Sequence, residues 1–167
     1  DIFNARNNKF VRFPIELSRM KVLRDLDLAN NKLSLLPRTI CLMSNLEKLN
    51  LSDNPQIGAA VPEGAFIRFP VLKELDISNN KLTKRGTAMT VIKAIADAIS
   101  VSSSMKKIKV HKCELPIDVL KTGVEVDLSG QNLQVQDAII IAACINVSSS
   151  MTKFNIWDNQ IGVQGAT

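Results

Sequence analysis

The sequence contains no tyrosine, one histidine, one tryptophan and three cysteines, and aromatic residues make up 4% of its 167 positions. Each shortage removes a class of function. A catalytic triad needs an oriented base beside a nucleophile, and the single imidazole, His111, falls where an exposed strand position is expected, among Lys107, Lys109 and Lys112. Those ammonium groups oppose its protonation. Cys41, Cys113 and Cys144 are odd in number, far apart and free of any C-x-x-C pair. They form neither a disulfide framework nor a thiol-rich zinc or redox motif, which suits a reducing compartment. No apolar run approaches the roughly 20 residues of a membrane span, and no basic stretch followed by an apolar one opens the sequence as a secretory leader does. Phosphate-cradling patterns G-x-x-x-x-G-K and G-x-G-x-x-G do not occur. Carboxylate pairs such as Glu74 with Asp76 lie two apart on what reads as an open strand face, with no cleft around them. No catalytic, cofactor-binding or metal-binding residue is therefore assigned.

The net charge of +5 suits an acidic partner or nucleic acid. Against nucleic acid, the one dense basic run is 105–112, and six Phe and one Trp offer few stacking groups. A mildly basic solvated surface is the reading adopted. Sequons at Asn50 and Asn146 keep an extracellular location open beside the cytoplasmic one that the cysteines favour.

What the chain does have is self-similarity. The frame L-x-x-L-x-L-x-x-N-x-L is filled by Leu23, Leu26, Leu28, Asn31 and Leu33, and again by Leu46, Leu49, Leu51 and Asn54, with Ile57 one place late after Pro55. Leu72, Leu75, Ile77, Asn80 and Leu82 give a third copy, and Phe3, Ala5, Asn8 and Phe10 an incomplete opening one. Later copies are degenerate: Met105, Ile108, Val110 and Leu115 with Cys113 at the Asn place; Val126, Leu128 and Leu133 with Gln131 there; and Met151, Phe154, Ile156, Asn159 and Ile161. The last apolar strand residues fall at 5, 28, 51, 77, 110, 128 and 156, giving steps of 23, 23, 26, 33, 18 and 28 residues.

This pattern resembles the leucine-rich repeat family over essentially the whole chain. The first copies, with L-x-x-L-P after the Asn, are similar to the 23-residue intracellular class. The later ones are similar to the ribonuclease-inhibitor class, whose I-G-x-x-G-A helix entry is matched at 161–166. Repeats of that class are also found in NOD-like receptors and the GTPase-activating protein of Ran. The resemblance implies an α/β fold: a right-handed horseshoe solenoid with a parallel β-sheet on the concave face and short turns, then helices, on the convex face. One domain of about seven repeats over 1–167 is expected, a piece of a longer chain whose caps come from further repeats or another subunit.

Physical chemistry supports the frame separately. Residues two apart on a strand share a side, and one repeat cannot bury its own apolar face, so neighbours must stack. The Asn is expected to be buried, serving turn backbone groups that would otherwise be orphaned; Cys113 and Gln131 would do this imperfectly. The stripe Ala88, Val91, Ile92, Ile95, Ala96 and Ile99 predicts a helix over 87–100. A second is expected around Asp137 to Ile145, short turns in the 23-residue steps, and little regular structure outside the sheet in the 18-residue step with Pro116 and Gly123.

The candidate partner-binding face consists of residues flanking the inward apolar ones: Asp25 and Asp27; Lys48 and Asn50; Glu74 and Asp76; Lys107, Lys109 and His111; Glu125 and Asp127; Lys153, Asn155 and Trp157. Ile2, Asn4, Arg6, Ala29, Ser52, Ser78 and Ser129 are read as further members. With parallel strands about 4.8 Å apart, Glu74–Lys107–Glu125 and Asp76–Lys109–Asp127 are expected to form lateral charge ladders. The implied function is a non-catalytic protein-interaction scaffold. The alternatives are a GTPase regulator of the Ran-directed type and the sensor region of a larger innate-immune or extracellular receptor.

Overall fold

The computed structural model describes residues 1–57, 66, 69–80 and 88–162. Leu82, Thr87 and the 163–166 part of the helix-entry match lie outside the described residues. Among the described residues there are eight three-residue strands: β1 (Ile2–Asn4), β2 (Asp25–Asp27), β3 (Lys48–Asn50), β4 (Glu74–Asp76), β5 (Lys107–Lys109), β6 (Glu114–Pro116), β7 (Glu125–Asp127) and β8 (Lys153–Asn155). All but β6 fall where the repeat spacing places them. Three helices accompany them: α1 (Ala88–Val101), α2 (Ile117–Thr122) and α3 (Val135–Asn146).

The strands are short because the residue that ends each one also starts a turn. In six of the seven spaced strands it is Asn or Asp, and its Oδ1 accepts the backbone N–H two residues on. The bonds run from Arg6 to Asn4 (3.0 Å), Ala29 to Asp27 (2.9 Å), Ser52 to Asn50 (3.1 Å), Ser78 to Asp76 (2.9 Å), Ser129 to Asp127 (2.8 Å) and Trp157 to Asn155 (3.0 Å). Such a local bond competes with the sheet ladder and bends the chain away. One residue further, Asn7, Asn30, Asp53, Asn79, Gly130 and Asp158 take φ between 52° and 63°, a region that Asn, Asp and Gly tolerate best.

The residue after that is the repeat asparagine, and its amide ties each repeat to the one before. Asn54 is fully buried; its Nδ2 donates to Leu51 and Ser52 of its own turn and to Leu28 of the preceding one, while its Oδ1 accepts the Leu33 N–H at 3.0 Å. Asn31 does the same with Leu28, Ala29, Ala5 and Phe10, and Asn159 with Ile156, Leu128 and Leu133. Asn80 reaches Ile77 and Leu51, but accepts from the Asn54 N–H itself, two places before the donor used in the other repeats and next to Pro55, which has no N–H.

The fifth repeat lacks all three devices. Lys109, Lys112 and Cys113 stand where the turn acceptor, the left-handed residue and the asparagine belong. Without them the chain doubles back, and β6 lies antiparallel on β5 with Ile108 opposite Leu115. Two expectations are thereby corrected. The inward residues Phe3, Leu26, Leu49, Leu75 and Ile108 do form one in-register row of parallel strands. Val126 and Phe154 are paired with each other in a separate two-stranded parallel sheet. The sheet is parallel-rich, not wholly parallel, and it is not continuous.

Outside the sheet, the 23-residue steps hold single 3₁₀ turns, Ile15–Arg19 and Arg38–Leu42, each entered from a proline whose fixed φ suits a helix start. As expected, the longer steps hold helices, α1 and α3, and the two pack against each other. The 18-residue step is the exception. It holds β6 and α2, which buries Ile117 and Leu120, follows Pro116 and stops at Gly123, where a Cβ would come within 2.6 Å of the Val119 carbonyl. Lys121 of α2 donates its ammonium to the Ile99 and Ser102 carbonyls at the end of α1, a favourable place for a cation. Burial there lowers its pKa.

Replacing Asn54 with alanine removes four hydrogen bonds at once and leaves the buried Leu33 N–H without its acceptor, while the Leu28, Leu51 and Ser52 carbonyls keep bonds from Asn31, Asn80 and Asn30. Urea unfolding is expected to show a loss of about 3 kcal/mol for Asn54→Ala. Asn8→Ala, at an exposed turn, is expected to cost less than about 1 kcal/mol. Equal losses would contradict the account of the amide.

Candidate interaction face

The alternation of the strands decides which side chains reach the sheet face. In β2 to β5 the central residue is buried and its two neighbours are not. Asp25, Asp27, Lys48, Asn50, Glu74, Asp76, Lys107 and Lys109 thus line one open recess of about 220 Å³. Glu125, Asp127, Lys153 and Asn155 line a second of about 360 Å³ over β7 and β8. The structure brings the first eight together and keeps the last four as a group of their own.

The charge ladder differs from the one expected. Lys48 bridges Glu74 at 3.1 Å, Glu74 bridges Lys107 at 3.6 Å, and Lys107 bridges Glu114 at 3.3 Å. Glu114 of β6, absent from the sequence-based set, takes the place assigned to Glu125, because the antiparallel hairpin fills the position beside β5. Its E-L-P triplet, with an inward Leu115 between exposed neighbours, is a strand alternation in miniature and was the available signal. Glu125 bridges Lys153 instead, at 3.3 Å, and Asp127 accepts from the Asn155 amide at 3.1 Å. The ladder Asp76–Lys109–Asp127 does not form, and Lys109 has no ion pair among the described residues. Glu114 and Glu74 raise the Lys107 pKa, the hydrogen bond to Glu114 most of all. These pairs are exposed, and each is worth only about 0–1 kcal/mol.

The position two beyond each strand mostly fails to reach the face. Ala29, Ser52 and Ser78 are buried, since the turn has already begun. Arg6 after β1 and Trp157 after β8 are exposed, Trp157 by 77%, and Ser129 is half-buried. His111 belongs to the β5–β6 connection and is half-buried, which corrects its expected place on an exposed strand.

At that connection the molecule holds unpaired polar atoms. His111 Nδ1 and Asp137 Oδ1 are both buried without a hydrogen-bond partner. Asp137 starts α3, where its other oxygen accepts the Gln134 N–H at 2.9 Å in a capping box. Burial raises the Asp137 pKa, against the opposing pull of that hydrogen bond and of nearby His111. Cys113 beside them has its thiol pKa raised by burial and by the charge of Asp137. Among the described residues, no three His, Cys, Asp or Glu side chains are arranged to hold a metal ion.

Comparison with known families finds leucine-rich repeat models matching residues 22–43 and 71–89, and a second such model matching 43–60. No curated protein matches the chain. Among solved structures, a leucine-rich repeat protein of Leptospira interrogans aligns with 96% of this chain and 55% of its own length, at 18% identity and a TM-score of 0.37. The chain spans little more than half of that protein.

A raised folded-state pKa means that Asp137 contributes stability fully below the ordinary carboxylate range and loses it as pH rises through the elevated value. Asp137→Asn keeps an acceptor for Gln134 and removes the titration. As pH rises above the ordinary carboxylate range the wild type is therefore expected to lose more stability than Asp137→Asn. Unfolding free energies measured across that rise test this, and parallel curves would contradict it.

Proposed function

Because the chain belongs to the leucine-rich repeat family, we propose that it is a non-catalytic scaffold that holds a protein partner along its strand face. Domains of this family generally mediate protein–protein interaction. In this reading the stacked repeats form a right-handed, horseshoe-shaped solenoid in the cytoplasm, and the strand face is its concave side.

The observation that carries the reading is the composition of that face. Its exposed positions are almost all charged or amide side chains, aligned on strands in register and open to solvent over the first recess. Most of the first column is already paired within the chain, which prevents a run of like charges. Asp25, Asp76 and Lys109 have no ion pair among the described residues, so they are free to select a partner by charge. Trp157, large and exposed, is the residue type most enriched at binding hot spots.

The test is a pull-down in which wild type is compared with a Lys109→Glu, Trp157→Ala variant and with Lys93→Glu, a change on the exposed side of α1. Proteins recovered by wild type are expected to fall at least about tenfold with the double variant, the effect of about 1.4 kcal/mol. They should be unchanged with Lys93→Glu. Undiminished recovery with the double variant removes the strand face as the binding surface.

A further inference from the structure

The positive charge of this chain is not distributed evenly. The two connections 5–24 and 28–47 carry eight basic residues against two acidic ones, Glu16 and Glu47, so they account for the whole excess of +5. Glu47 is already bonded to Arg24 and Lys73. The remaining cations stand on the surface of the two 3₁₀ turns and the segments entering them.

Those turns are packed side by side in a fixed register. The Ser18 hydroxyl meets that of Thr39 at 3.2 Å, the Ser34 N–H donates to the Val11 carbonyl at 3.2 Å, and the Asn45 amide donates to Lys21 at 2.6 Å. Counted by the 23-residue repeat, Arg12 corresponds to Leu35, Ile15 to Arg38, and Arg19 to Leu42. All six are exposed, the aliphatic ones by 56% (Ile15), 44% (Leu35) and 54% (Leu42). Arg12, Arg19 and Arg38 have no ion pair among the described residues, unlike most charges of the strand face. An isolated exposed aliphatic is ordinary, but three of them interleaved with three uncompensated guanidinium groups form a mixed patch.

We infer that this patch is a docking surface for an anionic lipid bilayer. Guanidinium groups supply attraction to acidic headgroups, and short aliphatic side chains on a rigid turn can enter the headgroup boundary. Besides its guanidinium groups, the exposed hydrogen-bonding side chains of the two turns are Glu16 and Thr39, and both recesses described above lie over strands. Charge and apolar surface without shape suit a fluid plane better than a folded partner, which requires complementary packing. Nucleic acid is disfavoured because no aromatic side chain stands on the patch to stack with bases.

Co-sedimentation of the full chain with vesicles tests the inference. Binding is expected to vesicles of equal parts phosphatidylcholine and phosphatidylserine, to weaken with salt, and to be absent with phosphatidylcholine alone. Each arginine replaced by glutamine, at 12, 19 or 38, should weaken binding about fivefold. Leu35→Ser with Leu42→Ser should weaken it as well, and Lys109→Glu on the strand face should not. Circular dichroism confirms that each variant is folded. No binding by wild type, or equal binding by the arginine or leucine variants, overturns the inference. So does retention by soluble polyglutamate or duplex DNA with none by the phosphatidylserine vesicles.

Discussion

A buried side-chain amide makes the stacking of these repeats specific. Apolar burial contributes more energy, roughly 1.5–3 kcal/mol for each fully buried Leu or Ile, but it is non-directional and would tolerate slippage between neighbours. The asparagine amide is directional. By donating to carbonyls of its own turn and of the preceding repeat, Asn31, Asn54, Asn80 and Asn159 fix how far one repeat is offset from the next. The same bonds leave no buried turn carbonyl orphaned, which in a low-dielectric interior would be costly.

The fifth repeat shows the consequence of removing that constraint. Substituting Lys109, Lys112 and Cys113 for the turn-forming residues leaves nothing to guide the chain out of the sheet, and it reverses into β6. Among the described residues Cys113 Sγ meets the Glu114 carbonyl at 3.6 Å and Gln131 at 4.0 Å, so no asparagine amide ties this rung to the one before. Continuity is then maintained outside the sheet, by α1 against α3 and by Lys121 on the end of α1. The unpaired atoms of His111 and Asp137 gather at the same break. The face inherits it too: one charge network runs over β3 to β6, and a separate pair joins β7 to β8.

The seven spaced strands were legible in the sequence because a leucine row, a period and a terminal asparagine all agree. The boundaries of α1 and α3 were legible to within two residues from apolar stripes, and the short turns from step length. The β6–α2 insertion was not, since Leu115 satisfies the repeat frame while occupying a different strand. Asp137 stood only as the first residue of the second expected helix, and nothing in its neighbours marked its burial. For the face, alternation gave the exposed positions correctly within each strand, but pairing across the break depended on which strand lies beside β5. That is a long-range fact, and a local pattern does not carry it.

Native-state amide hydrogen exchange with added denaturant tests the central role of the ladder most directly. Leu28 and Leu51 donate to the next strand within the laddered part, and Leu128 donates to Asn155 beyond the break. The account predicts that Leu128 exchanges through an opening of lower free energy than Leu28 and Leu51 share. A single opening free energy for all three amides would contradict it.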